Sequence, residues 1–429
     1  MTQNPRRLAF DILLKIDKDH AYSNLTLDAY LPSSGLDARD KAFVSALVYG
    51  VTERRLTIDY QLTLYLDKPL KKLKPQVLVI LRLGAYQIFF MDKIPDSAGV
   101  NESVKLSKSC GCSYASSLVN AVLRKCAKNG LVLPEEGSAK YISVKYSCPL
   151  WLCQKWINEY GLSDTEALLD ASAGPVDTVI RVNTVKTDCD TLKAKLTQEG
   201  VSVFDGYTSG SLIVKNFGDI ENLQSFRNGL FHVQDTASQL CVKALNPLPG
   251  QTVFDVCSAP GGKAFTAAEL MKNTGTVLAF DIYEKRVGLI AKGAERLGLT
   301  CIKAGTGDAA VFNPDLPEAD RILCDVPCSG LGIIRRKPEI RYKSEESLRD
   351  LPDIQLQILK TASRYLKIGG RLVYSTCTLN KDENENVVSR FLDENSNFRL
   401  ADGNDSMRTL MPHKNHADGF FIAVLERIR

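Results

Sequence analysis

Residues 251–263 read QTVFDVCSAPGGK. The first seven make a strand-length run, apolar at Val253, Phe254 and Val256, that breaks into a small, glycine-rich turn. Further strand-like runs follow at GTVLAFD (275–281), near Cys301 to Ala304, at RILCDV (321–326) and at GRLVYSTC (370–377). Helical segments such as EKRVGLIAKGAERLG lie between them. Strands alternating with helices at this spacing predict βαβ units and a mainly parallel sheet. Their near-continuous apolar character fits burial on both faces. Residues 236–429 are therefore expected to form a doubly wound, Rossmann-like α/β domain.

In such a sheet ligands bind beyond the carboxyl ends of the strands, so the residues after each strand carry the information. After the first come Cys257, Ser258, Ala259, Pro260, Gly261, Gly262 and Lys263. The glycines let backbone approach a ligand closely, and the next helix aims its positive end at the same point. A phosphate loop would need GxxxxGK[ST], but Cys257 fills its first glycine position and Ala264 follows the lysine. The dinucleotide pattern GxGxxG fails as well, which leaves a nucleoside loop or a plain structural turn. Asp281 ends the second strand about 20 residues beyond the glycines, where an acid receives ribose hydroxyls. Asp308 follows the third strand and Asp325 closes the fourth. One aspartate after a strand is ordinarily a turn or a cap. Three after consecutive strands point to a nucleoside ligand without pyrophosphate, and S-adenosylmethionine fits.

The fourth strand runs into Pro327-Cys328-Ser329-Gly330 and the fifth into Cys377-Thr378. One buried cysteine is most simply packing. Two at strand ends facing one crevice suggest chemistry. Carbon 5 of cytosine is a poor nucleophile until a thiolate adds to carbon 6 and makes the ring an enamine. An acid near ring nitrogen 3, a role open to Asp325, would stabilise that adduct. An amine acceptor needs no thiol, because its own lone pair attacks.

Four stretches occur together: VFDVCSAPGGKAFTAAEL, DVPCSGLGIIRRKPEI, LVYSTCTLNKDENENVV and the terminal DGFFIA. From GLFHVQDTASQL at Gly229 to the end, the chain resembles the NOL1/NOP2/Sun family of RNA cytosine-5 methyltransferases. The resemblance implies a class I methyltransferase domain that uses S-adenosylmethionine. It makes Cys377 the nucleophile and Cys328 the helper in product release. It assigns the cofactor to residues Cys257 through Lys263 with Asp281, Asp308 and Asp325. The chain departs from the family pattern at Ala264, where threonine is usual, and at Ser258, where alanine is common.

Upstream, residues 136–235 mix helical stretches (YSCPLWLCQKWINEYG, TLKAKLTQEG) with β-like runs at DTVIRVN, GVSVF and SLIVKN. A small α+β, RRM-like linker module is expected there. Residues 1–135 carry helical spacing at Leu8, Ile12, Leu13 and Ile16, and at Phe43, Leu47 and Val48. Another helix is expected from Pro75, and one around Leu118–Leu123 should stop at Gly130. This all-helical region resembles a NusB-like RNA-binding bundle, which with the rest implies the bacterial branch of the family that methylates 16S rRNA. Lys and Arg exceed Asp and Glu in 1–135 by 19 to 13, whereas the remainder has 35 against 37. A basic excess in one domain suits a polyanion partner, although a solvated basic face would look the same.

The composition, 44% hydrophobic and 24% charged, is that of a globular protein. The start MTQNPRRLAFDILLKI lacks a secretory pattern, and the apolar run Val77–Met91 is short and broken by Arg82. A cytoplasmic, monomeric protein is expected, with no membrane partner. Twelve irregularly spaced cysteines suggest reduced thiols, and without a CxxC pair no metal site is expected. Arg335, Arg336 and Lys337 could hold phosphates or simply form a solvated loop. His232, His413 and His416 are not needed by the chemistry. Two competing readings are a transfer-RNA or large-subunit (23S) RNA substrate, and an RNA-binding assembly factor without catalysis.

Overall fold

The computed structural model describes residues 4–19, 21–174, 176–403 and 406–429. Two compact units emerge, one of Met1–Ala173 with Arg336–Glu345, the other of Gly174–Arg335 with Glu346–Arg429. Among the described residues no helix is long and apolar enough to cross a membrane.

The first unit is helical throughout its described residues. Pro75 opens the helix Pro75–Phe90 in the first turn, where its missing N–H costs nothing. Gly130 stops the helix Ser116–Asn129 at φ 68°. Leu8, Ile12, Leu47, Ile80, Val119 and Leu123 share one core. Arg82, which interrupts the apolar run, bonds Asp59 at 2.8 Å and Asp17 at 2.7 Å. The helices continue through Ala139–Tyr146, Leu150–Tyr160 and Leu162–Ala171. The Arg336–Glu345 segment packs in this unit as well. There the Tyr342 hydroxyl donates to the Glu53 carbonyl at 3.0 Å, and Arg55 lies 3.8 Å over its ring.

The second unit contains two sheets. The smaller has β1 (Thr178–Val182), β2 (Ser202–Asp205), β3 (Ser211–Lys215) and β4 (Phe231–Val233) in the order β2-β3-β1-β4. Ile180, Val182, Leu212, Val214 and Phe231 point one way, into a core with Leu192 and Leu196 of the helix Cys189–Gln198. Val179, Arg181, Ile213 and His232 alternate to the other face and are also buried. That face meets the helix Gly262–Leu270, with Arg181 Nε 3.1 Å from Glu269 Oε2 and the His232 ring edge-on to Phe265.

The larger sheet starts with β5 (Thr252–Asp255), β6 (Thr276–Asp281), β7 (Ile302–Thr306), β8 (Ala319–Asp325) and β9 (Leu366–Thr376). These five pair in parallel. The C-terminal strands β10 (Phe398–Leu400), β11 (Met407–Leu410) and β12 (Phe420–Arg427) add antiparallel, giving the order β10-β12-β9-β8-β5-β6-β7 with β11 on β12. Burial on both faces shows within β5: Val253 joins a core with Ala268 and Ile290, Phe254 another with Leu359 and Tyr365. Because β5 lies between β6 and β8, the crevice of the reversed strand order opens at its carboxyl end.

Candidate active site

The segment 257–263 fills that crevice. Ser258 N–H donates to the Phe280 carbonyl of β6 at 2.7 Å, and Gly261 N–H to the Ser258 carbonyl at 2.7 Å. Gly261 adopts φ +110°, and a Cβ there would lie 2.5 Å from the Phe265 ring. No other residue fits that turn. Gln234 donates to the Gly262 carbonyl at 2.9 Å and accepts from the Thr266 hydroxyl at 2.7 Å, which fixes the start of the helix.

A cavity of about 350 Å³ lies against this loop. Cys257, Ala259, Asp281, Asp308, Asp325, Cys328 and Cys377 all line it. Ser258, Pro260, Gly261 and Gly262 shape the loop, and Lys263 turns beneath it to reach Asp325 Oδ2 at 2.6 Å. Ser375 donates to the other Asp325 oxygen at 2.8 Å. Burial works against the Lys263 charge, but Asp325 and Asp255 outweigh it and hold the ammonium above the usual lysine range. Asp325 is therefore one half of an ion pair.

Asp281 is buried, accepts from the Tyr283 N–H at 3.1 Å and lies 3.2 Å from Arg286. Arg286 also donates to the Ala259 carbonyl at 2.9 Å, tying the loop to that acid. Asp308 uses one oxygen to cap the Ala310 N–H at 2.9 Å. Asp255, at the end of β5, is almost fully buried and neither of its oxygens has a hydrogen-bond partner. Burial pushes its carboxyl up to about 7. Ser258 Oγ is likewise buried without a partner.

The two sequence-predicted thiols meet at the mouth of neighbouring strands, with Sγ atoms 3.2 Å apart. The neighbouring Cys377 sulfur is the largest cause, and burial the next, of a Cys328 thiol held well above the usual cysteine range. Three backbone links order the loops around them. Gly332 N–H donates to the Cys377 carbonyl at 3.0 Å, Gly419 N–H to the Gly332 carbonyl at 2.9 Å, and Val326 N–H to the Ser375 carbonyl at 3.1 Å. A Cβ on Gly332 would lie 1.9 Å from the Gly419 carbonyl oxygen, so only glycine permits this approach.

Glu383 supports the Cys328 loop from below and was not singled out in the sequence. Fully buried, it accepts from the Ser329 N–H (2.8 Å), the Ser329 hydroxyl (2.5 Å), Gln355 (3.0 Å) and Asn380 (2.8 Å). It lies in the polar run NKDENEN, which reads as a solvated helix start. Only its position six residues after Cys377, inside a motif, hinted at more. Arg286 was missed for a similar reason: it sits in a charged amphipathic helix with nothing to mark it. Arg335, Arg336 and Lys337 are half-buried, and Lys337 lies 5.4 Å over the Tyr22 ring.

A doubly wound sheet with an acid-lined crevice at its strand reversal and a glycine-containing loop at its centre defines a class I, Rossmann-like methyltransferase domain. The 16S rRNA methyltransferase RsmB/F family model matches residues 242–426, the NusB family model residues 3–128, and an RsmF/B-like ferredoxin-like domain residues 148–221. A "Probable ribosomal RNA small subunit methyltransferase B" of Bacillus subtilis is 36% identical, with 98% of both chains covered. The Pseudomonas putida "Ribosomal RNA small subunit methyltransferase B" is 30% identical, with 99% of both covered. Among solved structures, PH0851 superposes over the whole of both chains at a TM-score of 0.83 and 25% identity. NSun6 from Pyrococcus horikoshii shares the fold over 64% of this chain and 97% of its own, at a TM-score of 0.59 and 22% identity. The chain belongs to the RsmB/F family of 16S rRNA methyltransferases. The expected fold classes, a NusB-like helical domain, a small α+β module and an α/β methyltransferase domain, are those found.

Proposed function

We propose that the chain transfers a methyl group from S-adenosylmethionine to carbon 5 of a cytosine in 16S rRNA, through a covalent bond between Cys377 and ring carbon 6. The observation that carries this reading is the thiol pair, 3.2 Å apart in the wall of the acid-lined cavity. An amine acceptor would leave both thiols without work, whereas carbon 5 of cytosine needs one to attack carbon 6 and gives the second a part in release. Support for the RNA comes from the family and from the basic excess in residues 1–135, which select substrate. Residues 136–235 link, and 236–429 catalyse.

The cavity suits the cofactor. Asp281 and Asp308 offer carboxylates to ribose hydroxyls and an adenine amine, and Ile282, Ala309 and Ile358 offer apolar walls. The partnerless oxygens of Asp255 and Ser258 lie in the strand end and loop of the same site. When bound, S-adenosylmethionine supplies the electrophilic methyl group.

Cys377 attacks as a thiolate. The sulfur–carbon 6 bond forms, the carbon 5–carbon 6 π pair becomes a carbon 4–carbon 5 double bond, and the carbon 4–nitrogen 3 pair goes to nitrogen 3, which takes a proton from solvent; carbon 5 is then a nucleophilic enamine carbon. Asp325, its charge balanced by Lys263, accepts from the protonated nitrogen 3 of the adduct and stabilises the altered ring. Once the Cys377 sulfur is bonded to carbon it carries no charge. The largest cause that raised the Cys328 thiol is then gone, so Cys328 can give its proton to solvent and, as a thiolate, take that of carbon 5. The ring double bond re-forms as the carbon–sulfur bond breaks, and Cys377 leaves as a thiolate.

The test is to incubate the chain with unmodified 16S rRNA and methyl-labelled S-adenosylmethionine, then map the label. Label in 5-methylcytidine at one position is expected; label in another nucleoside, or none, overturns the reading. Asp281→Ala should weaken cofactor binding by more than about tenfold in calorimetry, because charge-assisted hydrogen bonds are lost.

A further inference from the structure

The module built on β1–β4 has a four-stranded sheet, the architecture whose open face stacks bases in RRM domains. Here that face is closed. Arg181 and His232 lie against Glu269 and Phe265 of the helix Gly262–Leu270, and they and Ile213 on the same face are each less than a tenth exposed. Any base stacking by this module must come from its edges. The turn between β2 and β3 carries Tyr207, which remains 51% exposed. Its ring is stacked on His416 at 4.8 Å between centroids and 8° between planes. His416 is itself exposed.

We propose that the Tyr207–His416 stack is a platform for an unpaired base of the RNA near the target cytosine; this rests on the function proposed above. Both partners are held in place before any RNA arrives. On the Tyr207 side, Thr208 donates to Gln239 at 2.8 Å, Arg181 donates to the Ser209 carbonyl at 2.7 Å, and Gly206 N–H donates to the Ser211 carbonyl at 3.0 Å. On the other, Asn415 Oδ1 accepts from the Met411 N–H at 2.7 Å and closes the turn that carries His416. A rigid aromatic surface binds without an ordering cost, and every base has a face to offer it.

The platform is also close to the chemistry. Gly419, hydrogen-bonded to Gly332 and through it to Cys377, is three residues from His416, a reach of about 10 Å at most. Lys243, exposed one helical turn beyond Gln239, adds a positive charge on the same helix face for a neighbouring phosphate.

Steady-state methylation of a 16S rRNA fragment by the full chain tests this. Tyr207→Ala should raise the KM for RNA about tenfold, the scale of one lost stacking partner, with kcat within about twofold and unchanged cofactor affinity. Tyr207→Trp should restore the KM. Fragments with single abasic positions around the target should include one on which wild type and Tyr207→Ala become equal, because no base is left to stack. A wild-type KM for Tyr207→Ala, or a penalty that persists at every abasic position, overturns the platform. Failure of the wild-type chain to methylate the fragment at all would instead count against the proposed function.

Discussion

Cys328 Sγ stands 3.2 Å from Cys377 Sγ in the wall of the acid-lined cavity. Cys328 is held well above the ordinary thiol range, first by that contact and then by burial. A thiol held that high keeps its proton near neutral pH, so the proposed attack falls to Cys377. Iodoacetamide at pH 8 should therefore label Cys377 first and Cys328 slowly. In Cys377→Ala the main cause of the Cys328 shift is removed, so Cys328 should label faster than in wild type. Peptide mass spectrometry reads both; equal rates in wild type would contradict the assignment.

Asp255 makes a prediction about pH. Its carboxyl rises from 3.8 to about 7 on burial, so between those values the folded chain binds more protons than the unfolded one. Stability should thus fall as pH rises from about 4 to 7 and level off above. The loss is at most about 4 kcal/mol, from 1.36 kcal/mol per pH unit. Asp255→Asn should flatten this part of the profile and be the more stable form at pH 8. Urea unfolding at pH 5.5 and pH 8 checks it; parallel profiles would show that Asp255 is solvated.

Much of this was legible in the sequence. The five parallel strands announce themselves because burial on both faces demands apolar runs. The residues after those strands could be assigned to one crevice because topology puts strand ends together. Residues 398–427 were harder. β10 to β12 are antiparallel and partly polar, and only the DGFFIA motif stood out. Glu383 was invisible because a carboxylate in an acidic run looks solvated; its burial depends on donors from Ser329 and Gln355, distant in sequence. The closed face of the small sheet was hidden in the same way. Arg181 reads as a solvent residue until Glu269 is known to face it.

Glu383 should be costly to remove. Glu383→Ala leaves the Ser329 N–H and Asn380 donors buried without that acceptor and takes from Gln355 one of its two acceptors, a loss of about 3 kcal/mol or more. Glu383→Gln keeps the shape and should lose less. Urea denaturation measures stability, and methyl transfer at a temperature where both variants are folded should still show a slowed Cys328 loop. Full activity in Glu383→Ala would remove it from that role.

The helical unit presents Lys68, Lys71, Lys72 and Lys74 together, all exposed, with Lys74 lying 4.9 Å over the exposed ring of Tyr114. If these lysines neutralise phosphates, Lys71→Glu with Lys72→Glu should weaken RNA binding at low salt. The double variant should also lower the slope of log affinity against log salt by about 1.5. Cofactor binding should not change. An unaltered salt slope would make the patch a solvated face.

The central claim is that Cys377 attacks and Cys328 releases, and covalent trapping tests it most directly. Each single alanine variant is incubated with 16S rRNA and S-adenosylmethionine and run on a denaturing gel. Cys328→Ala should still form the Cys377–carbon 6 bond and methylate, but fail to eliminate, and so accumulate as a slow protein–RNA band. Cys377→Ala should give no band and no methylation. A band from Cys377→Ala with none from Cys328→Ala would contradict the account.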